Sequence, residues 1–255
     1  MLPVLNIGPL ALQVPGLIII IGIWLGLSLV ERLTSSVKPS ILYNLVLFSV
    51  LLGILGARIG YVLEFPSAFS DNPLNIISLN LALFNLFAGI GVGLIVAIIY
   101  GQKKQLPFWG TLDALTPLFG VFMIALSISN LASGNAFGSP TDLPWGIDLW
   151  GSHRHPTQVY EIILSTIILG LIFALLLKKQ KQSDGIIFLV FLASTATARI
   201  FTEAFHGDST LIFTGIRSTQ LIAWFILAIS LWILGKCFSE KKDVPRNLLH
   251  TNPQI

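Results

Sequence analysis

The feature that most constrains this chain is a series of long apolar runs. They occupy residues 14–30, 41–65, 81–100, 108–131, 157–177, 185–205 and 211–235, and Pro117 interrupts the fourth. About 17–25 apolar residues are enough for a helix to cross the hydrocarbon core of a bilayer. A helix also satisfies its own backbone hydrogen bonds where no water is present. The sequence therefore predicts an all-α integral membrane protein with about seven transmembrane helices.

Composition supports a membrane protein and argues against several other classes. The chain is 54% hydrophobic and 11% charged, which predicts one polytopic domain over residues 1–238 and a polar cytoplasmic tail over residues 239–255. The net charge of +3 could indicate nucleic-acid binding, but basic cytoplasmic loops produce the same total, so no nucleic-acid partner is expected. The single cysteine, Cys237, excludes an intramolecular disulfide. The N-terminus lacks the basic region of a cleavable signal peptide.

The apolar runs are connected by short segments, here called joints, and the distribution of the basic residues over these joints predicts the topology. Alternate joints and the C-terminal segment together carry 11 of the 15 lysines and arginines, and the joints between contain no lysine. The basic joints and the C-terminal segment hold Arg32, Lys38, Lys103, Lys104, Lys178, Lys179, Lys181, Lys236, Lys241, Lys242 and Arg246. Because cytoplasmic loops carry an excess of lysine and arginine, seven spans place the N-terminus outside and the C-terminus in the cytoplasm.

The remaining four basic residues are all arginines on the outer half of this topology: Arg58, Arg154, Arg199 and Arg217. Arg58 and Arg199 fall inside apolar runs, where a charge costs at least about 2.5–3.5 kcal/mol unless it faces a cavity or a partner. One interpretation is that each arginine pairs with a nearby carboxylate. The other is a shared anion site, since the planar guanidinium suits phosphate. Four arginines facing one compartment without a lysine favour the anion site.

Two further polar patterns lie near the predicted outer surface. On the sixth run, Arg199, Glu203 and His206 are spaced to share one helix face, which Thr195 extends. This face either lines a cavity or holds a structural Arg199–Glu203 ion pair with His206 at the water interface. In the ten residues from 152 to 161 there are two histidines, an arginine, a glutamine, a tyrosine and a glutamate. The proline among them suits the first turn of the fifth helix.

Other features of the sequence point to structure. Glycine pairs four residues apart, such as Gly22 and Gly26, predict close helix packing. The connection between the fourth and fifth runs is about 25 residues long, and loops of that length are often functional. A zinc site at His153 and His155 is poorly supported, because their spacing is not a metal-ligand pattern on a helix. Tyr160 could be an ordinary residue of the aromatic belt.

Several of these segments together resemble the bacterial phosphatidylglycerol–prolipoprotein diacylglyceryl transferase family. The clearest match is Arg-His-Pro-Thr-Gln-Val-Tyr-Glu at residues 154–161. Residues 56–63, around Arg58, and residues 198–203, around Arg199, resemble two more family segments, and Gln220 stands at a later family glutamine. Residues 7–10 match the usual opening, and Asn130, Gly134 and Gly138 match part of a signature loop. The resemblance covers nearly the whole chain.

The resemblance implies a specific reaction and specific site residues. A diacylglyceryl group would pass from phosphatidylglycerol to the thiol of a prolipoprotein lipobox cysteine. The protein would lie in the bacterial plasma (inner) membrane, in contact with membrane lipids. No cofactor and no metal are implied. The implied catalytic residues are Arg154, His155, Arg199 and Glu203. The implied substrate-binding residues are Arg58, Tyr61, Asn130, Gly134, Gln158, Tyr160, Glu161 and His206. Of these, Arg58, Arg154 and Arg199 would bind the phosphate. His155 is the first candidate for the catalytic base, and His206 is the second.

The chain departs from the family pattern at several polar positions. Ala88 stands in place of a histidine, and Ser127, Asn135 and Ser139 replace charged residues of the signature loop. Pro15 and Thr195 stand for tyrosines, and His206 for an arginine. A catalytically altered relative that binds phospholipid or lipoprotein is therefore an alternative function. A transporter is a further alternative, disfavoured because no internal repeat and no pair of broken spans is evident.

Overall fold

The structure, a computed structural model, describes residues 4–7, 10–34, 37–70, 73–77, 83–178, 183–212 and 216–242. Its helices are α1 (Val14–Leu33), α2 (Pro39–Glu64), α3 (Leu86–Lys103), α4 (Phe108–Ser133), α5 (Thr157–Leu176), α6 (Ile186–Glu203) and α7 (Ser218–Lys242). Its short antiparallel strands are β1 (Val4–Ile7) with β2 (Leu10–Gln13), β3 (Ile147–Leu149) with β4 (Ser152–Arg154), and β5 (Leu211–Ile212) with β6 (Ile216–Arg217). Predictions that rest on Gly8, Pro9, Lys179, Lys181, Arg246 and the tail after residue 242 lie outside the described residues.

The prediction of seven membrane helices is confirmed. Seven described helices are long and apolar enough to cross a membrane. Many of their large apolar side chains face outward, as Phe87 does at 85% exposure and Trp24 at 62%. A water-soluble monomer rarely exposes apolar surface on this scale, whereas lipid tails accept it. The protein is a multi-pass membrane protein.

Three helix boundaries differ from the predicted runs by five residues or more. α3 begins at Leu86 because Asn85 caps it, accepting a hydrogen bond from the Ala88 backbone N–H at 2.9 Å. α7 begins at Ser218, because residues from Leu211 to Arg217 contribute the β5–β6 hairpin. At its other end α7 extends to Lys242, four residues into the predicted tail.

The prediction that Pro117 interrupts the fourth span is wrong, since α4 is continuous from Phe108 to Ser133. A proline removes one backbone hydrogen bond from the preceding turn. Membrane helices tolerate an internal proline, because neighbouring groups can take over the carbonyl that loses its donor.

The chain divides into two compact units, and the division falls inside α4. The first contains residues 1–33 and 115–255. Within it, Gly22 and Gly26 of α1 lie directly against Ala125 and Leu118 of α4, so closely that a Cβ on Gly26 would lie 2.6 Å from Leu118 Cδ1. The apolar contact of α5 with α6 is built from Ile168, Ile172 and Phe191. Small residues let the helix backbones approach, as the glycine spacing predicts.

The second unit contains residues 34–114 and is built around α2 and α3. A Cβ on Gly89 of α3 would lie 2.8 Å from the Ala57 Cβ of α2. A Cβ on Gly93 of α3 would lie 3.1 Å from the Ser49 carbonyl oxygen of α2. The glycine pairs of both helices therefore lie at their contact, which confirms the packing predicted from their spacing.

The long connection from α4 to α5 is folded. β3 and β4 form a hairpin whose two-residue turn, Trp150 and Gly151, has φ angles of 53° and 73°. Positive φ at both positions is typical of a type I′ turn, whose twist matches that of paired strands. A second bridge joins Pro140 to Arg154, and another joins Gly138 to His206 beyond the end of α6. The loop is therefore fixed against the ends of α5 and α6.

Candidate active site

A small cavity lies between α4, α5 and α6 of the first unit and encloses about 100 Å³. Its lining residues are Met123, Leu126, Ser127, Asn130, Glu161, Leu164, Ser165, Ile168, Thr195, Ala198, Arg199 and Thr202. An apolar cavity of about 150 Å³ holds a benzene molecule. This one therefore suits a group of similar or smaller size, and a whole phospholipid would not fit inside it.

Arg199 is the cation of this cavity. Its Nη1 donates to Glu161 Oε1 at 2.7 Å, and its Nη2 lies 2.9 Å from Glu203 Oε2. The Glu203 side chain is fully buried and the Glu161 side chain is 14% exposed, whereas that of Arg199 is 37% exposed. One part of each predicted interpretation of this helix face is therefore observed: Arg199 forms the ion pair with Glu203, and Arg199 also lines a cavity. Thr195 lines the cavity too, as its place on the stripe predicts.

Glu161 is the point where three elements meet. Besides Arg199, its Oε2 accepts a hydrogen bond from Ser127 Oγ of α4 at 3.3 Å, and its Oε1 lies 3.1 Å from His206 Nε2. Asn130 lies one turn beyond Ser127 on α4 and also lines the cavity. The carboxylate is therefore held by an arginine, a hydroxyl and an imidazole while one side of it faces the cavity.

His206 is buried, with 1% of its side chain exposed, so the predicted position at the water interface is wrong. It lies in the turn after α6, where its Nδ1 is 3.1 Å from Asp208 Oδ1 and its Nε2 faces Glu161. Burial alone lowers the pKa of this imidazole, but the hydrogen bonds to Glu161 and Asp208 outweigh burial and the Arg199 charge. The net result is a pKa raised above the ordinary value for histidine.

Arg217 and Ser209 fix the turn that carries His206. The Arg217 Nη1 donates to the carbonyl oxygen of Glu203 and, at 2.6 Å, to that of His206. Ser209 Oγ donates to Glu203 Oε1 at 2.5 Å. Arg217 therefore neutralises the carbonyl ends of α6 and its following turn, where a cation is favourable.

Arg154 is engaged by the outer loop. Its Nε donates to the Leu149 carbonyl at 3.1 Å, its Nη1 to the Gly138 carbonyl at 3.2 Å, and its guanidinium lies 4.9 Å from the Phe137 ring centroid. It is not among the residues that line the cavity. Arg154 therefore stabilises the outer loop, and its predicted contact with phosphate stays a prediction.

The next residues of the same motif also hold the loop. Thr157 Oγ1 donates to the Ala136 carbonyl at 2.7 Å, and the buried Gln158 donates from Nε2 to the Asn135 carbonyl at 2.8 Å. Gly134 has a φ of 77°, which a glycine adopts without strain, and its carbonyl accepts from Trp150 Nε1 at 2.9 Å. Of the motif at residues 154–161, Glu161 alone is among the cavity-lining residues.

His155 and Tyr160 belong to an aromatic cluster beside the loop. The Tyr160 hydroxyl accepts a hydrogen bond from Trp145 Nε1 at 3.0 Å and lies 3.4 Å from His155 Nδ1. The His155 and Phe205 ring centroids are 5.1 Å apart. Neither His155 nor Tyr160 is among the residues lining the cavity, so the predicted base role of His155 finds no direct geometric support here.

His153 makes a separate, exposed pair with Asp148. Its Nδ1 lies 2.9 Å from Asp148 Oδ1, and this hydrogen bond raises the pKa of the imidazole. Among the residues that the structure describes, no group of three or more histidine, cysteine, aspartate or glutamate side chains could hold a metal ion.

Arg58 and Tyr61 lie in the second unit, on α2. Arg58 is 8% exposed and donates to the carbonyl oxygens of Ile76 at 2.8 Å, Leu83 at 2.6 Å and Asn75. Its guanidinium also lies between the rings of Phe69 and Phe84, at 5.4 and 5.5 Å. The Tyr61 ring packs on Phe65, with centroids 4.9 Å apart. Both residues stabilise the segment after α2, and their predicted substrate contacts stay predictions.

The family model for prolipoprotein diacylglyceryl transferases matches residues 3–235 of this chain, which is most of its length. The chain belongs to this family. The resemblance drawn from its motifs is thereby confirmed, and the family is one of enzymes.

Curated relatives in this family align along most of the chain. A phosphatidylglycerol–prolipoprotein diacylglyceryl transferase from Solidesulfovibrio magneticus is 31% identical over 245 residues, covering 91% of this chain and 92% of the relative. One from Nostoc sp. is 29% identical over 260 residues, covering 95% and 92%. One from Bordetella parapertussis is 33% identical over 211 residues, covering 78% and 79%.

Within the family frame, sequence reasoning missed two partners of Glu161 and His206. Ser127 stands out in the sequence only as a departure from the family, because its contact with Glu161 depends on how α4 packs on α5. Asp208 follows His206 by two residues, and that short spacing is the one signal that could have suggested their pairing. Arg199, Glu203 and His206 are brought together as their helical spacing predicts.

Proposed function

We propose that this protein transfers the diacylglyceryl group of phosphatidylglycerol to the lipobox cysteine thiol of a prolipoprotein, in the bacterial plasma membrane. The relatives carry that activity in their names. The observation that carries the proposal for this chain is a partly exposed Arg199 beside Glu161 in a small cavity between apolar helices. An arginine at such depth marks a functional site by default.

The cavity has the polarity that a glycerophospholipid needs. Arg199, Glu161 and Asn130 form its polar end, while Met123 and Ile168 lie one to two turns away along α4 and α5. Because a residue three or seven positions away shares the helix face, the apolar part continues directly from the polar part. The phosphate and the glycerol carbon that reacts would occupy the polar end. The acyl chains would remain among the apolar helix surfaces outside the cavity.

Arg199 is the residue that would bind the phosphate. A guanidinium carries five N–H donors, and one of them, on Nη1, is used in the hydrogen bond to Glu161 Oε1, whereas Nη2 is held close to Glu203 Oε2 as an ion pair. The two carboxylates hold the guanidinium in place, so that its remaining donors can meet a phosphate oxygen without rearrangement. Such fixed donors stabilise the charge that develops on a leaving phosphate.

The group transfer conserves charge and atoms. The cysteine sulfur gives its electron pair to the terminal glycerol carbon of the diacylglyceryl group, and a C–S bond forms. The C–O bond from that carbon to the phosphate breaks, and its electron pair stays on the phosphate oxygen of the departing glycerol phosphate. The thiol proton has to be removed, because the thiolate is the reactive form. Glu161 is the cavity-lining carboxylate that would accept it.

The proposed topology places this chemistry outside the cytoplasm. Asn130 is near the end of α4, Glu161 near the start of α5 and Arg199 near the end of α6, so the chain directions bring all three to one side of the first unit. Lys178 follows the opposite end of α5. Basic joints in the cytoplasm put the cavity toward the outer leaflet, where prolipoproteins emerge.

Complementation tests the proposal directly. The gene is expressed in a bacterium depleted of its own diacylglyceryl transferase, and a reporter prolipoprotein is followed by gel mobility and mass spectrometry. Growth and a reporter carrying the diacylglyceryl mass are expected, and a reporter with its lipobox cysteine changed to serine stays unmodified. Purified protein in phosphatidylglycerol nanodiscs that leaves a lipobox peptide unmodified would overturn the proposal.

A further inference from the structure

His206 and Asp208 form a chain of groups behind Glu161 that leads from the buried interior to the surface, and the proposed bond exchange at the glycerol carbon does not itself require them. From the cavity outward, Glu161 Oε1 lies 3.1 Å from His206 Nε2, and His206 Nδ1 lies 3.1 Å from Asp208 Oδ1. The Glu161 side chain is 14% exposed, that of His206 1%, and that of Asp208 37%. The imidazole therefore separates a carboxylate that faces the cavity from one that faces solvent.

The partners of His206 determine what its protonation does. Each ring nitrogen faces a carboxylate oxygen, and an ionised carboxylate only accepts hydrogen bonds. Both contacts are therefore hydrogen bonds only when the ring carries two protons, and the neutral ring leaves one contact without a proton. An imidazole between two carboxylates is consequently a good place to store one proton.

We infer that the His206–Asp208 pair takes up the thiol proton that Glu161 receives from the lipobox cysteine. This inference rests on the proposed transferase function and deepens it. The cysteine proton passes to Glu161, and from Glu161 Oε1 to His206 Nε2, as the C–S bond forms and the C–O bond to phosphate breaks. His206 becomes an imidazolium held by Asp208. It loses the proton to water after glycerol phosphate departs, which restores the neutral ring for the next turnover.

The groups that surround His206 agree with a proton store at this position. Glu161 comes from α5, Arg199 and Glu203 from α6, Asp208 from its own turn, and Arg217 reaches the His206 carbonyl. Hydrogen bonds to the carboxylates oppose the effects of burial and of the Arg199 charge, and the pKa of His206 is raised. Asp208 acts here as a positioning residue, because it fixes the ring and favours its charged form without touching substrate.

The chain also contains a matched control pair. His153 and Asp148 are likewise joined through Nδ1, at 2.9 Å, and the pKa of His153 is also raised. The other ring nitrogen of His153 faces the Leu143 carbonyl, 3.1 Å away, in the outer loop. Asp148→Asn therefore weakens a similar pair that has no contact with the cavity.

The test is the pH dependence of transfer by full-length protein in phosphatidylglycerol nanodiscs, with a lipobox peptide as acceptor. If neutral His206 accepts the proton, the rate rises with pH through the pKa of His206. Asp208→Asn removes a charge that raises that pKa. The rising part of the pH–rate profile should therefore move to lower pH. Asp208→Glu should return the rise in rate to its original pH, and Asp148→Asn should leave the pH of the rise unchanged.

Histidine NMR gives a readout that does not depend on activity. The titration of the His206 imidazole should also move to lower pH in Asp208→Asn, with thermal unfolding monitored to confirm folding. If the pH–rate profile of transfer stays unchanged while the His206 titration shifts, the inference is overturned and the transferase function is left intact. Absence of transfer by the unsubstituted protein at every pH would instead overturn the proposed function.

Discussion

Arg58 of α2 and Arg199 of α6 are both arginines inside apolar helices, but their guanidinium groups have different partners. Arg58 is 8% exposed and donates to three carbonyl oxygens between two aromatic rings. The Arg199 side chain is 37% exposed, pairs with two carboxylates and lines a cavity. An arginine inside an apolar helix is therefore accommodated in one of two ways: its donors bind carbonyl groups of the fold, or it pairs with carboxylates beside a cavity. Only the second arrangement puts the guanidinium where a substrate could reach it.

The largest expected effect on activity is that of Arg199→Ala. It removes the proposed phosphate contact and leaves the buried Glu203 without its cation. Loss of one preorganised donor lowers turnover by about 10²–10³. The loss of a buried pair costs about 3–5 kcal/mol of stability. Transfer of labelled diacylglycerol to a lipobox peptide is measured, with thermal unfolding alongside.

Arg32→Ala is the matched control for this variant, because Arg32 is exposed at the end of α1. It should transfer at the normal rate. Near-normal turnover by a folded Arg199→Ala protein would remove the distinction between the two arginines.

Arg58→Ala should act on stability more than on chemistry. It removes three hydrogen bonds from a charged donor to carbonyl oxygens, and each such bond contributes about 1.5–3 kcal/mol. A lower midpoint of thermal unfolding is expected, while the folded fraction keeps its KM for phosphatidylglycerol. A stable Arg58→Ala protein with a strongly raised KM would show that Arg58 contacts the lipid, as the family resemblance predicts.

Arg154→Ala should have an intermediate effect, exerted through the outer loop. Two charge-assisted hydrogen bonds and the contact with the Phe137 ring are lost. Because one such hydrogen bond contributes about 1.5–3 kcal/mol, the loop should open locally and transfer should fall by about tenfold or more. Hydrogen exchange of residues 134–156 checks the loop. Loss of transfer with unchanged exchange would instead indicate direct contact of Arg154 with substrate.

Ser127→Ala should have the smallest effect. It removes the 3.3 Å hydrogen bond to Glu161 Oε2, which contributes about 0.5–1.5 kcal/mol. Turnover should fall by a few fold. Ser129→Ala is the control, since the Ser129 hydroxyl donates to the Pro15 carbonyl instead. Equal effects of the two variants would mean that the contact of Ser127 with Glu161 has no special part in the reaction.

Much of the fold follows from the sequence because membrane helices are specified locally. Apolar length, glycine spacing and lysine-bearing joints predict the seven helices and their close packing. The start of α7 does not follow, because the apolar residues before Ser218 are used in a hairpin. The continuity of α4 is missed as well, because membrane helices tolerate an internal proline such as Pro117.

The candidate site is predicted in part. Contacts between residues close together in the sequence are predicted, whereas contacts between residues on different helices are not. The spacing of Arg199, Glu203 and His206 brings them together on one helix. The polar residues of the motif at residues 154–161 predict a site, and in the structure Arg154, Thr157 and Gln158 hold the outer loop while Glu161 lines the cavity. Which of its residues reaches the cavity depends on the packing of α4, α5 and α6, and no local pattern reports that.

The most direct test of the central claim is to fill the cavity. Ala198 lines it, whereas Ile163 of α5 is 52% exposed and points away from the core. Ala198→Phe and Ile163→Phe are purified into phosphatidylglycerol nanodiscs, and thioether formation on a lipobox peptide is measured beside the unsubstituted protein. We expect Ala198→Phe to stay folded but to lose transfer, whereas Ile163→Phe should transfer normally. Normal transfer by Ala198→Phe would contradict it.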